Sequence, residues 1–412
     1  MVKIEPFAVE QWMDDHETTA TYNIAETCCA SISLDDLQNL STQQPDPNNQ
    51  NSIFSFSRST KLAYGAIRGS EQLRGHLSRL YSIKTSTPLP ADNVLITSGA
   101  IQGNFLLHHA LVGPGDHVIV HYPTYQQLYS VVEAIGAEVS LWKAKEDDEN
   151  GWVLDTEELK GLIRPNTKLI VLNNPQNPTG AIIPKSKLEE IVNIARSQSI
   201  IIHADEVYRP IFHGISPVDA EFPPSLLSLG YKNAVVTGSM SKAYSLAGIR
   251  VGWIASRNKE IIDRCMVFRD YTTISVSQID DAVASFALAP HTIHSLLHRN
   301  IQLAKTNLAI LEKFIESHRW ACDWKKPLAG TTAFVRFSKM GRPVDDVAFC
   351  TLLHEKTGVL VVPGSRCFGR DGDFKGYVRI GYVSETEVLE KGLEKLREFM
   401  KGEYVDDVPL AR

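Results

Sequence analysis

The sequence predicts an α/β protein: a large domain over residues 46–289, with a mostly parallel central sheet flanked by helices, and a smaller α+β domain built from residues 1–45 and 290–412. Three observations carry this. Short apolar runs at 94–96, 117–120, 168–172 and 200–202 alternate with stretches of helical spacing, the pattern of strands joined by crossover helices. From about Pro290 that alternation gives way to one long helical stretch and several strands. With 412 residues, 43% hydrophobic and 22% charged, the chain is long enough for two domains and a large core.

In order along the chain, residues 1–45 read as irregular, and 42–51 (TQQPDPNNQN) as a polar, proline-containing loop. Leu62-Ala63-Tyr64-Gly65 leads into an amphipathic helix at 73–81. The run at 94–96 is a strand passing directly into Ser98-Gly99-Ala100, after which Ile101, Phe105, Leu106 and Ala110 mark one helical face. Such a strand–glycine–helix junction aims several free backbone N–H groups at one spot and suits an anion. Pro114-Gly115-Asp116 is a turn before the strand at 117–120, which ends at Pro123-Thr124-Tyr125. The strand at 168–172 ends in Asn174-Pro175-Gln176-Asn177-Pro178-Thr179-Gly180, dense in turn residues. Pro184 opens a helix with Leu188, Ile191, Val192 and Ala195 at 3.6 spacing. The strand at 200–202 ends in His203-Ala204-Asp205-Glu206, and apolar runs at 234–237 and 251–255 bracket Ser239-Met240-Ser241-Lys242 and Arg250. Further on come a long helix at 296–317, strands at 331–337, 358–362 and 377–383, and a closing helix at 385–400. The polar clusters named here in the large domain sit at strand ends, where open parallel sheets bind ligands.

Composition narrows the function. Lys+Arg 42 against Asp+Glu 48 gives a net charge of −6 and no basic run, so no nucleic-acid partner is expected. The first ten residues are neither a signal nor a transit peptide, and no apolar run is long enough to span a membrane; a cytoplasmic enzyme is the expectation. Cys28, Cys29, Cys265, Cys322, Cys350 and Cys367 lack metal-ligand spacing and read as reduced core thiols, with no metal implied.

What remains is chemistry on a lysine. Lys242 offers an amine for a carbonyl, while Ser239, Ser241 and Arg250 are groups that suit a phosphate. Pyridoxal 5′-phosphate, an aldehyde with a phosphate handle, needs both. It also needs a carboxylate at its ring nitrogen, donors for its 3-oxygen and an aromatic face.

The Asn174–Gly180 segment, Ala204-Asp205-Glu206-Val207-Tyr208 and the run from Ser239 to Gly252 together make the chain resemble the class I/II aminotransferases of the aspartate-aminotransferase fold type. The resemblance implies a Schiff base on Lys242, with the freed amine later moving the Cα proton. By the same resemblance Asp205 faces the ring nitrogen, Asn177 and Tyr208 the 3-oxygen, and Tyr125 the ring face. Ser239, Arg250 and the backbone of Gly99, Ala100 and Ile101 seat the phosphate. Tyr64 resembles the tyrosine that reaches a neighbouring subunit's phosphate, implying a homodimer with shared sites. Arg379, in Val378-Arg379-Ile380-Gly381, matches the arginine that grips the substrate α-carboxylate.

Two segments depart from the family pattern. Residues 23–33 lack its usual glycine and proline, and Ala329-Gly330-Thr331-Thr332-Ala333-Phe334 replaces a Gly-Gly-x-Phe-like stretch. The N-terminal segment is similar to that of capreomycidine-synthase-type relatives. The reaction expected is amino transfer between an α-amino acid and a 2-oxo acid, with a lyase or cyclase reaction on the same scaffold as the alternative. A non-catalytic ligand-binding protein is disfavoured by the intact Lys242, Asp205 and Arg379. Thr27, Cys28 and Cys29 are expected along the side-chain half of the substrate pocket, with Glu26 as the charge for a basic substrate.

Overall fold

The computed structural model describes residues 4–43, 59–83, 85 and 87–412. The polar loop expected at 42–51 lies outside the described residues from position 44 onward. Seven strands form the central sheet: β1 (Val94–Thr97), β2 (His117–Tyr122), β3 (Glu138–Lys143), β4 (Thr167–Asn173), β5 (Ile201–Asp205), β6 (Ala234–Ser239) and β7 (Gly252–Ser256). Their order is β1-β7-β6-β5-β4-β2-β3. All pairings are parallel except those of β7, which runs antiparallel to both neighbours.

This sheet is buried on both sides, as parallel sheets are. In β4, Leu169 and Val171 face one apolar cluster while Ile170 and Leu172 face the other, the period-two alternation of a strand. Helices cover both faces: α3 (Glu71–Ser82), α4 (Gly99–Leu111), α5 (Gln127–Ile135), α6 (Thr156–Leu162), α7 (Lys185–Ser197) and α8 (Lys259–Asp270) among them. In α7 the buried residues are Leu188, Ile191, Val192 and Ala195, the predicted stripe. Each buried Leu, Ile or Val there contributes roughly 1.5–3 kcal/mol.

A second sheet follows α9 (Gln278–Ala287) and the long helix α10 (Ile293–Ser317). It comprises β8 (Cys322–Trp324), β9 (Thr332–Lys339), β10 (Arg342–Pro343), β11 (Val362–Pro363) and β12 (Tyr377–Gly381), in the antiparallel order β8-β9-β12-β11 with β10 on the end of β9. Helices α11 (Asp346–Thr357) and α12 (Gly364–Cys367) pack with it, and α13 (Thr386–Lys401) packs on α10 and α11.

Two expectations are corrected. The stretch expected to be irregular at 1–45 holds two helices within its described residues, α1 (Ala8–His16) and α2 (Leu34–Asn39). The indole N–H of Trp12 donates to the Val361 carbonyl at 2.8 Å, and Ser33 and Asp36 form a capping box on α2. The stretch expected as one strand at 358–362 is split. Val359–Leu360 pairs in parallel with Tyr22–Asn23, whereas Val362 belongs to β11.

Candidate active site

The predicted residues converge because each parallel strand ends on the same edge of the central sheet. Asp205 closes β5, Asn173 closes β4, and Asn177 lies in the turn beyond it. Tyr125 follows β2, Ala100 and Ile101 follow β1, and Ser239 closes β6 with Lys242 just after it. All but Ala100 and Ile101 of these lie on strands or turns held by side-chain hydrogen bonds. The Gln176 amide donates to the Pro123 carbonyl at 2.5 Å, and the Asn177 N–H donates to Asn173 Oδ1 at 2.7 Å, which locks the turn after β4. A cavity of about 500 Å3 opens at this edge. Its walls include Ala100, Ile101, Tyr125, Asn177, Asp205, Tyr208, Ser239, Lys242, Arg250, Arg379 and Thr27. A wider groove of about 890 Å3 beside Tyr81, Lys185 and Trp253 holds none of the predicted residues.

At the floor, Asp205 is buried. It accepts from Asn104 Nδ2 at 3.0 Å and from the Val207 N–H at 3.1 Å. Burial raises its pKa from 3.8 to about 6 against these two hydrogen bonds. Asn104 in turn accepts from Thr237 Oγ1 at 2.7 Å, and Thr237 meets His203 at 3.0 Å. Burial pulls the His203 and His108 pKa values down, so both imidazoles are neutral and no cation stands behind the carboxylate.

Lys242 Nζ donates to Thr27 Oγ1 at 2.7 Å and to Cys28 Sγ at 3.4 Å, and lies 3.8 Å from Glu26 Oε1. Burial opposes the ammonium charge, but Cys28, Glu26 and Tyr208 outweigh it and raise the Lys242 pKa. Burial itself pushes the Cys28 thiol up to about 11, so at neutral pH the negative partner is Glu26. Glu26 overcomes its own burial through Lys242 and the N–H groups of Cys28 and Thr27, and its pKa falls to about 2.

At one end stands α4, whose N-cap Ser98 makes no side-chain capping bond, leaving first-turn N–H groups free. Gly252 makes this end possible. A Cβ there would lie 2.3 Å from the Gly99 carbonyl carbon and 2.5 Å from the Ala100 nitrogen. Gly99 has φ +75, and a Cβ on it would stand 2.8 Å from Arg250 Nη2, so the guanidinium lies against the helix start. Ser239 Oγ donates to Ser241 Oγ at 2.8 Å, and Arg250 Nη1 to Ser241 Oγ at 3.4 Å.

At the other end, Arg379 on β12 is buried, donating to the Ala25 carbonyl at 3.0 Å and to Asn177 Oδ1 at 3.3 Å. Its Nε is buried without a partner. Among the described residues neither Arg250 nor Arg379 has a carboxylate partner.

Not every prediction lands here. Cys29 is in the apolar core rather than on the pocket wall, because its N–H is bound to the Lys242 carbonyl and its side chain turns inward. Glu26 faces Lys242. Tyr64 lies away from the cavity and is 79% exposed. Three participants were not foreseen. Asn104 looks like one polar residue on an apolar helix. Glu10 and Glu17 look like ordinary surface charges, yet both line the cavity, and Glu10 Oε1 accepts from the Tyr125 hydroxyl at 2.6 Å.

The profile of the family described as aminotransferase class I and II matches residues 36–396. Capreomycidine synthase of Streptomyces vinaceus is 31% identical over 335 residues, 81% of this chain and 80% of that protein. An aspartate aminotransferase of Sulfolobus acidocaldarius is 25% identical over 82% of each chain. The crystal structure of a PLP-dependent aminotransferase from Streptococcus suis 89-1591 superposes with a TM-score of 0.84, at 40% identity, covering 97% of this chain and 98% of that one.

Proposed function

The chain belongs to the aminotransferase class I and II family and is a pyridoxal-phosphate-dependent transferase; on that premise we propose how its own residues divide the work. When bound, pyridoxal phosphate supplies an aldehyde for an amine and a protonated ring that delocalises the electron pair left when the Cα proton departs. The cavity fits this group on three counts. It has a helix start with free N–H groups beside Arg250, a buried carboxylate with no cation behind it, and a lysine amine between them.

Lys242 Nζ would be the amine that holds the aldehyde carbon, and the same amine is placed to take the proton from substrate Cα. Asp205 holds a proton on the ring nitrogen, kept in place by Asn104. Asn177 and Tyr208 donate to the ring oxygen, and Tyr125 covers the ring face. Ser239, Ser241, Arg250 and the first N–H groups of α4, those of Ala100 and Ile101, seat the phosphate. Arg379 grips the α-carboxylate of the amino acid or 2-oxo acid, its Nε free for a second oxygen. Thr27 holds the Lys242 amine near substrate Cα.

The observation that carries this reading is the placement of Lys242, Asp205, Arg250 and Arg379 around one cavity. Lys242→Ala should abolish turnover and the visible absorbance of the loaded enzyme, and a borohydride-reducible cofactor link surviving in that variant would refute the assignment. The likeness to capreomycidine synthase keeps elimination or ring closure as the weaker second reading. The two separate on the products from an amino acid screen. Amino transfer leaves pyridoxamine phosphate, whereas elimination leaves the cofactor unchanged and releases ammonia or another leaving group.

The site is shared in a homodimer on this reading. Leu62, Tyr64 and Ile67 are exposed, as are Phe268, Tyr271 and Ile274. The two segments are tied by Gln278 Nε2 donating to the Lys61 carbonyl at 2.6 Å and by Arg269 donating to the Ile67 carbonyl. Exposed apolar groups collected in this way mark an interaction surface. Among the described residues no helix is long and apolar enough to cross a membrane. Six free, buried cysteines support a reducing, cytoplasmic setting.

A further inference from the structure

From the charges left over in this cavity we infer that the amino-acid substrate carries a cationic side chain, received by Glu10 on α1 and by Glu17, which follows the last residue of that helix with helical backbone. The inference rests on the aminotransferase reading and names its substrate class. Among the described residues three cations line the cavity, and each has an occupation on that reading: Lys242 for the aldehyde, Arg250 for the phosphate, Arg379 for the α-carboxylate. The buried, unpartnered Nε of Arg379 marks where that carboxylate goes. Four carboxylates line the same cavity: Asp205, Glu26, Glu10 and Glu17. Asp205 serves the ring nitrogen. Glu26 is held by its own loop N–H groups, at 2.6 and 2.8 Å, and by Lys242.

Glu10 and Glu17 have no cation among the described residues; Glu10 accepts only the Tyr125 hydroxyl. They are seven positions apart with Met13 between them, and all three line the cavity. That is one helical face. An apolar residue between two carboxylates matches an aliphatic stem ending in an ammonium or guanidinium group. Among the described residues of this chain a dicarboxylic amino acid has no second cation to meet, and it would set its own charge against these two. The opposite face of α1 fixes the helix in place: Trp12 is buried, its indole bonded to Val361 and covered by Arg366 with the guanidinium 5.2 Å from the ring. At the helix start, the Ala8 N–H donates to Gln126 Oε1 at 2.9 Å, beside Tyr125.

The test compares L-arginine and L-lysine with their uncharged counterparts L-citrulline and L-norleucine, and with L-aspartate, on the pyridoxal-phosphate-loaded enzyme. Binding by calorimetry and conversion of the cofactor to its amine form are followed separately. Arginine or lysine should bind at least about tenfold more tightly than its neutral counterpart, with aspartate weakest, and this preference should shrink as salt is raised. Glu10→Gln and Glu17→Gln, which keep the side-chain size, should each lower the charged-to-neutral ratio of kcat/KM about three- to tenfold. Amide exchange over residues 8–16 should slow with arginine or lysine more than with the neutral pair. Equal binding of charged and neutral amino acids, or a ratio unmoved by both substitutions, overturns the proposal. Preferential cation binding with no conversion of the cofactor by any amino acid upholds it and instead refutes amino transfer.

Discussion

At the residue scale the site is a set of opposed charges whose balance changes when the cofactor enters. Asp205 has its folded pKa raised above its ordinary 3.8 to about 6. The native state therefore holds an extra proton between those values, and this stabilising contribution is lost as pH rises through about 6. Ionisation at neutral pH then costs on the order of 3 kcal/mol in the cofactor-free protein. Asp205→Asn should accordingly raise the melting temperature of the cofactor-free enzyme at pH 7.5 but not at pH 4.5. It should also cut turnover about 10²- to 10⁴-fold, since a neutral amide cannot hold the pyridinium proton. A melting gain equal at both pH values would show that ionisation of Asp205 is not the cause. Glu26 works in the opposite sense on Lys242. Glu26→Gln should lower the pH at which cofactor is taken up by about one to three units, because the amine then loses its proton more readily. The pH profile of the rise in visible absorbance on adding pyridoxal phosphate checks this. That Lys242, Asp205, Asn177 and Arg379 come together at one cavity was legible in sequence, from the polar clusters and the family resemblance they carry. The placement of Asn104, Glu10 and Glu17 there was not, because nothing local distinguishes a cavity-facing polar residue from one facing solvent.

At the element scale, helix starts and strand ends do the positioning. The approach of β7 to the start of α4 depends on Gly252 having no side chain. Gly252→Ala should drive the two apart and cost about 1–3 kcal/mol of stability. Because the displaced groups are the N–H groups proposed to seat the phosphate, cofactor affinity should fall about tenfold or more. Affinity measured by fluorescence titration, set beside thermal melting, separates this from general destabilisation: melting lowered with cofactor affinity intact would contradict the role given to α4. The strands and helices of the central sheet could be read from alternating apolar runs and turn residues. Helix α1 could not. It buries only Val9 and Trp12, and its N-cap Phe7 makes no side-chain capping bond. Its place is set by contacts 118 and 349 residues distant, to Gln126 and Val361, which local pattern does not record.

At the scale of the whole molecule, the fold class was legible because alternating strands and helices admit few arrangements. The strand order and the reversal of β7 are settled by long-range pairing alone. The remaining question is how one chain completes its site. Tyr64 is 79% exposed and outside the cavity, on a segment whose exposed apolar neighbours suit a second copy. If Tyr64 reaches the partner's phosphate, two differently damaged subunits should repair each other. Lys242→Ala alone should be inactive, and Tyr64→Ala alone should lose cofactor affinity. In a mixed dimer, one site pairs the intact Lys242 of the Tyr64→Ala subunit with the intact Tyr64 of its partner. Refolding the two variants together in equal amounts makes half of the dimers mixed, each with one complete site of two, so about a quarter of native activity should return at limiting cofactor. Sedimentation measured on the same mixture reports whether dimers form at all. Dimers that form without any recovery beyond the sum of the separate variants would place Tyr64 outside the neighbouring site.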